Sequence, residues 1–176
     1  MSPKRLQRRY WDSNAFLGIL LGENDKVPDC QTVLKAADAG RLLIVTSAIT
    51  IAEVVRTKDR PRLKRESEQK IRDFFKHDWI VVIECDRRIA EAARQLMWNH
   101  ETLWHKDAIH VATAIQGGCV QLDTFDDSLI KLSGTVGNPP LVIGRPNLPE
   151  QLELGYGEEE AEAGEEAEEL EDEEEE

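Results

Sequence analysis

The chain has 176 residues, 40% of them hydrophobic, which is enough for one buried core of about 150 residues with a terminal extension. Its formal net charge is −13, but residues 158–176 hold 14 of the 35 acidic side chains and no basic one, so 21 acids face 22 bases in the body and an acidic body hostile to nucleic acid is excluded. The three cysteines, Cys30, Cys85 and Cys119, are odd in number and widely spaced, which excludes a disulfide framework and any paired zinc spacing.

The start of the chain is basic but leads into no apolar signal core, and no run is long enough to cross a bilayer, so the expectation is a cytoplasmic protein with no membrane partner. Along the body, short β-branched runs alternate with longer helical patterns. That alternation implies βαβ units, a central and mostly parallel sheet, and an α/β fold class. The first strand centres on Tyr10 and Trp11, and the preceding Arg8 and Arg9 make it less apolar than a central strand usually is. Helices follow over 15–21 and 30–39, a strand over 42–45, and helices over 47–56 and 64–76. A strand over 80–83, helices over 86–100 and 107–116, a strand over 120–122, a short helix over 127–132 and a last strand over 141–143 complete the pattern. Proline, glycine and then continuous glutamate succeed it. The expected organisation is a domain over 1–147 and a linker with a disordered acidic tail over 148–176, because like charges repel and almost no apolar side chains offset the entropy of ordering.

Four acids occupy places where a carboxylate is awkward. Asp12 directly follows the first strand and opens the turn into the next helix, at the strand's carboxyl end, where open parallel sheets place their ligand sites. Glu53 lies in Ala48-Ile-Thr-Ile-Ala-Glu-Val-Val, a helix apolar on nearly every side. Asp107 opens Asp-Ala-Ile-His-Val-Ala-Thr-Ala-Ile, another helix apolar around most of its circumference. Asp126 lies just beyond the strand over 120–122. A buried carboxylate without a partner costs several kcal/mol or takes up a proton, so such residues call for a cation, hydrogen bonds or a metal. Oxygen ligands of this kind suit Mg²⁺ or Mn²⁺, and a hard cation so held can acidify water and neutralise charge on a phosphodiester. Plainer readings stand beside these. Asp12 and Asp107 could be a helix cap and a first-turn acid, and Glu53 could pair with an arginine such as Arg56. At least one of Asp123, Asp126 and Asp127 is a solvated turn residue, with Asp126 ranked first for the site by its position after Thr124. His110 reads as a hydrogen-bonded core residue, and the His100, His105, Trp98 and Trp104 group as a helix end and loop. The basic run over 56–65 either tracks an RNA backbone or is a solvated face.

With those residues in view, the sequence resembles the PIN-domain family, and within it the VapC-type toxins of toxin–antitoxin pairs. Four blocks appear in family order: Tyr-Trp-Asp12-Ser-Asn, Ser47-Ala-Ile-Thr-Ile-Ala-Glu53-Val, Asp107-Ala-Ile-His-Val-Ala-Thr-Ala and Asp123-Thr124-Phe-Asp126. Any one block is weak, and their order and spacing together are specific. The resemblance spans about 10–143. It implies a three-layer α/β/α sandwich, Mg²⁺-dependent or Mn²⁺-dependent endoribonuclease activity on an RNA substrate, a homodimer, and a cognate antitoxin. Carried over by position, Asp12, Glu53, Asp107 and Asp126 match the family's acidic quartet, and Ser13 and Thr124 match positions where a hydroxyl supports a carboxylate or metal-bound water. A basic first strand and a long glutamate tail depart from the family pattern.

The alternative from another class is a catalytically idle PIN domain that binds RNA or a protein. Two other sheet enzymes fail on detail. A haloacid-dehalogenase-like phosphatase needs a second Asp where this chain has Asn14, and a receiver domain needs an early pair of adjacent acids and a late lysine. For the tail, a tethered polyanion would compete with RNA at high effective concentration. Removing residues 158–176 is then expected to raise RNA cleavage, most at low salt; equal rates with and without them would leave the tail a solubilising appendage.

Overall fold

The computed structural model describes residues 6–55 and 62–148. The chain divides into one unit over 1–146 and a second from 147 onward, and the architecture below is that of the first. The acidic tail and most of the basic run over 56–65 lie outside the described residues.

Five strands, β1 (Gln7–Trp11), β2 (Leu42–Ser47), β3 (Ile80–Ile83), β4 (Gln121–Asp123) and β5 (Val142–Gly144), form one sheet in the order β3-β2-β1-β4-β5. All four pairings are parallel. Sequence order reverses between β1 and β4, which makes the carboxyl ends of those two strands the natural place for a ligand. The helices among the described residues are α1 (Ser13–Leu21), α2 (Val27–Asp38), α3 (Ala48–Glu53), α4 (Glu68–Phe74), α5 (Arg87–Asn99), α6 (His105–Gln116) and α7 (Asp127–Ile130). Parallel crossovers are right-handed, so the leftward path β1→β2→β3 and the rightward return to β4 and β5 put α1–α4 and α5–α7 on opposite faces, giving three layers. No helix among the described residues is long and apolar enough to cross a membrane.

The alternating faces of β1 and β4 divide the core. Tyr10, Val45, Leu122 and Ile143 pack with Ile89, Ala93, Val111 and Leu129 beneath the α5–α7 layer. Arg9 and Trp11 point the other way. Here the structure departs from the expectation of a marginal first strand: β1 is the central strand, and Arg9 is 1% exposed. The reason is Asp123, opposite Trp11 on β4 and diagonal to Arg9, which forms a short ion pair with Arg9 and accepts from Trp11 Nε1 at 3.0 Å. Arg8 reaches the carbonyl of Gly117 at 2.9 Å. Two buried charges thus satisfy each other inside an otherwise apolar layer.

Other boundaries moved for local reasons. The second helix starts at Val27 with Pro28 in its first turn, where a missing N–H costs nothing. The first starts at Ser13, two residues earlier than expected, because Asp12 caps it, and ends as expected at Leu21, where Gly22, with a φ of 66°, closes its N–H back on the carbonyls of Gly18 and Ile19. The third stops at Glu53, three residues short of the expected end.

Candidate functional site

Two acid-bearing turns meet where β1 and β4 end. The register pairs Trp11 with Asp123, which brings the next residues, Asp12 and Thr124, side by side. Asp12 is 3% exposed; its Oδ1 accepts the Ala15 N–H at 3.0 Å, capping α1, and its Oδ2 accepts the Thr124 hydroxyl at 2.5 Å. Thr124 Oγ1 in turn accepts the Asp126 N–H at 3.0 Å. Asp126 caps α7, accepting the Ser128 N–H at 2.8 Å. The cap reading of Asp12 is therefore geometrically right, and one hydroxyl also ties its turn to that of Asp126.

Glu53 is the last residue of α3 and reaches across to α6. Its Oε2 lies 2.8 Å from His110 Nε2 and its Oε1 3.1 Å from Lys106 Nζ. The arginine partner considered from the sequence, Arg56, lies outside the described residues; among those described, the partners of Glu53 are Lys106 and His110. Asp107, in the first turn of α6, has no hydrogen bond or ion pair among the described residues. Lys106, Asp107 and His110 thus share one end of α6, with His110 on its buried side.

The three acids near the end of β4 separate by environment. Asp123 is fully buried and bound to Arg9, Trp11 and Gln121, with burial pushing its carboxyl up to about 6 against the pull of Arg9. Asp127 is exposed in the first turn of α7. Asp126 is half-buried and the one of the three that bears electrostatically on Asp107.

Burial pushes the Asp12 carboxyl above its ordinary value, offset in part by His110 and by the hydrogen bond from Thr124. Burial also raises Asp107, and the nearby Asp126, Asp12 and Glu53 raise it further. Burial would raise Glu53 too, but the hydrogen bonds and charge of His110 and Lys106 bring it below the usual range. Among the described residues, negative charge is therefore compensated more fully at Glu53 than at Asp12 and Asp107. Among the described residues, no three His, Cys, Asp or Glu side chains close into a group that could hold a metal ion as they stand. The donor set is nonetheless all oxygen and short of positive charge, which fits a hard divalent cation in chemistry and in sign.

Beside these acids lies a cleft of about 540 Å³, lined by Ser13, Asn14, Ile49, Glu53, Arg62 and Lys106 among others. Ser13 faces this cleft, whereas Thr124 is buried behind Asp12. The cleft joins one carboxylate and two cations to apolar walls. Sequence reasoning placed His110 one helical turn after Asp107, but did not single out Asn14 or Lys106 for the site, nor place His110 against Glu53. The signal available was spacing, since Lys106 and His110 stand four apart and therefore on one side of a helix that also carries Asp107.

The PIN-domain family model matches residues 9–134. The chain belongs to the PIN-domain family. Solved PIN-like structures share its architecture. A toxin–antitoxin complex from Klebsiella pneumoniae aligns at 23% identity over 76% of this chain and 95% of that one, with a TM-score of 0.54. VapC20 of Mycobacterium tuberculosis, a sarcin–ricin loop cleaving toxin, aligns at 13% over 69% and 92%, with a TM-score of 0.56. VapBC2 of Rickettsia felis, bound to a promoter DNA fragment, aligns at 18% over 78% and 98%, again with a TM-score of 0.56. No curated protein sequence matches the chain. At such identities the likeness is one of fold, and this PIN domain is similar in fold to VapC-type toxins.

Proposed function

We propose that this PIN domain is a divalent-metal-dependent endoribonuclease of the toxin–antitoxin type, in which Asp12, Glu53, Asp107 and Asp126 hold Mg²⁺ or Mn²⁺. The observation that carries the reading is the position of Asp107, half-buried, without a counter-ion among the described residues, and repelled by the other three acids of the family quartet. What a bound cation supplies is charge neutralisation at a phosphodiester and acidification of a water molecule.

The remaining work falls to the chain itself. Thr124 holds Asp12 in one orientation and fixes the turn of Asp126. Lys106 and Arg62 offer cations to phosphates of a strand lying in the cleft. The apolar walls from Leu17, Ile49 and Ile109 limit access of bulk water and present surface to a ribose or base. Ser13 stands where its hydroxyl can meet a phosphate oxygen or a water in the same cleft. A cognate antitoxin, supported by the likeness to toxin–antitoxin complexes, and a homodimer complete the reading.

The test is cleavage of a mixed RNA pool by the purified full chain in Mg²⁺, Mn²⁺ or EDTA, with cleavage expected only with metal. A second reading, an idle PIN domain that binds RNA or protein, is favoured by the engagement of Glu53 with Lys106 and His110, which leaves no closed metal-holding group among the described residues. Tight RNA binding without metal-stimulated cleavage would select it.

A further inference from the structure

Two buried rings stand behind Glu53. Tyr10 is fully buried and His110 is 3% exposed. Tyr10 Oη accepts the backbone N–H of Ser47 at 3.1 Å and lies 2.7 Å from His110 Nδ1, while His110 Nε2 lies 2.8 Å from Glu53 Oε2. The Ser47 N–H donates to the phenol oxygen, and the two imidazole nitrogens join that oxygen to the Glu53 carboxylate.

We infer that Tyr10 and His110 are positioning residues whose hydrogen-bond chain, Ser47 N–H to Tyr10 to His110 to Glu53, holds the Glu53 carboxylate in place beside Asp107. The inference rests on the proposed carboxylate site. Glu53 needs such support because it ends α3, where the helix dipole disfavours a carboxylate, and because its side chain has three rotatable bonds. Its other partner, Lys106, has a side chain that is 62% exposed and offers no fixed reference. His110 does, since it stands on the same helix as Asp107, one turn further on. Tyr10 in turn precedes Asp12 by two residues on β1. One chain of hydrogen bonds therefore sets the acids of β1, α3 and α6 relative to one another. Groups that orient metal ligands in this way change metal affinity by about 10–100-fold when removed.

The experiment measures Mn²⁺ affinity of the full chain by titration calorimetry, without RNA, with folding followed by circular dichroism. His110→Asn keeps a polar group near the Nδ1 position but cannot reach Glu53, and a loss of about 10–100-fold is expected. His110→Gln returns an N–H near the Nε2 position, and most of the affinity should return with it. Tyr10→Phe, which removes one hydroxyl and with it the partner of Nδ1, should fall between. Unchanged affinity in His110→Asn and Tyr10→Phe, while Glu53→Gln and Asp107→Asn bind weakly, overturns the inference and leaves the carboxylate site standing. Equal losses in His110→Gln and His110→Asn overturn it as well, because they report packing alone. Wild-type affinity in Glu53→Gln and Asp107→Asn overturns the site reading and the inference together. Should His110→Asn not fold, Tyr10→Phe decides, with weakened Mn²⁺ binding supporting the chain and unchanged binding refuting it.

Discussion

Asp107→Asn is expected to lower metal-dependent RNA cleavage by about a hundredfold or more, since a cation held against a phosphodiester supplies several kcal/mol of transition-state stabilisation. The same variant should fold and be more stable than the wild type in EDTA at neutral pH. Burial first, then the carboxylates of Asp126, Asp12 and Glu53, raise the Asp107 carboxyl in the folded domain above its ordinary value of 3.8. A carboxyl raised in this way binds its proton more tightly folded than unfolded, so its contribution weakens the folded state as pH climbs through and above that ordinary value. Asparagine removes the penalty. The melting temperature of Asp107→Asn should therefore exceed that of the wild type at pH 7.5, and the gap should close towards pH 4, where the wild-type carboxyl takes up its proton. A variant that loses both activity and stability at pH 7.5 would mean that Asp107 is a structural acid.

Asp123→Ala should show the reverse: a loss of about 3–5 kcal/mol in urea denaturation, because it leaves the Arg9 guanidinium buried without its counter-charge. A loss of that size is a large part of the stability of an ordinary domain, about 5–15 kcal/mol. The raised Asp123 value does not contradict this, since protonation would keep the side chain and its volume in place, whereas alanine also strips the acceptor from Trp11 and Gln121. Asp123→Asn, which keeps an acceptor but not the charge, should fall between. Asp126→Asn is the control, because the Asp126 side chain accepts from Ser128 and its N–H donates to Thr124, and asparagine caps a helix about as well as aspartate. It should stay within about 1 kcal/mol of wild type and yet lose cleavage. Stability lost at position 126 rather than 123 would reverse the division of labour between the two acids.

The sequence by itself determined the alternation of strands and helices, the five strands in their places, the positions of Asp12, Asp107 and Asp126 at strand ends and helix starts, and that of Glu53 on an apolar helix. These are local properties, since β-branched runs, helical periodicity and caps act over a few residues. The family likewise was legible from four short blocks in order. Tertiary structure decided what depends on residues far apart in the chain. Arg8 and Arg9 made β1 look marginal until Asp123, 114 residues after Arg9, met it across the ladder. That same pairing engages Asp123 with Arg9 and Trp11, which no local feature could show. His110 read correctly as a hydrogen-bonded core residue, but its partners come from β1 and α3, so its place behind Glu53 could appear only when the sheet and α6 were assembled. A charge buried next to an apolar helix carries one meaning in a sequence; which opposite charge, hydroxyl or ring it meets is set by packing, and that decided which acids hold the fold together and which are left short of compensation.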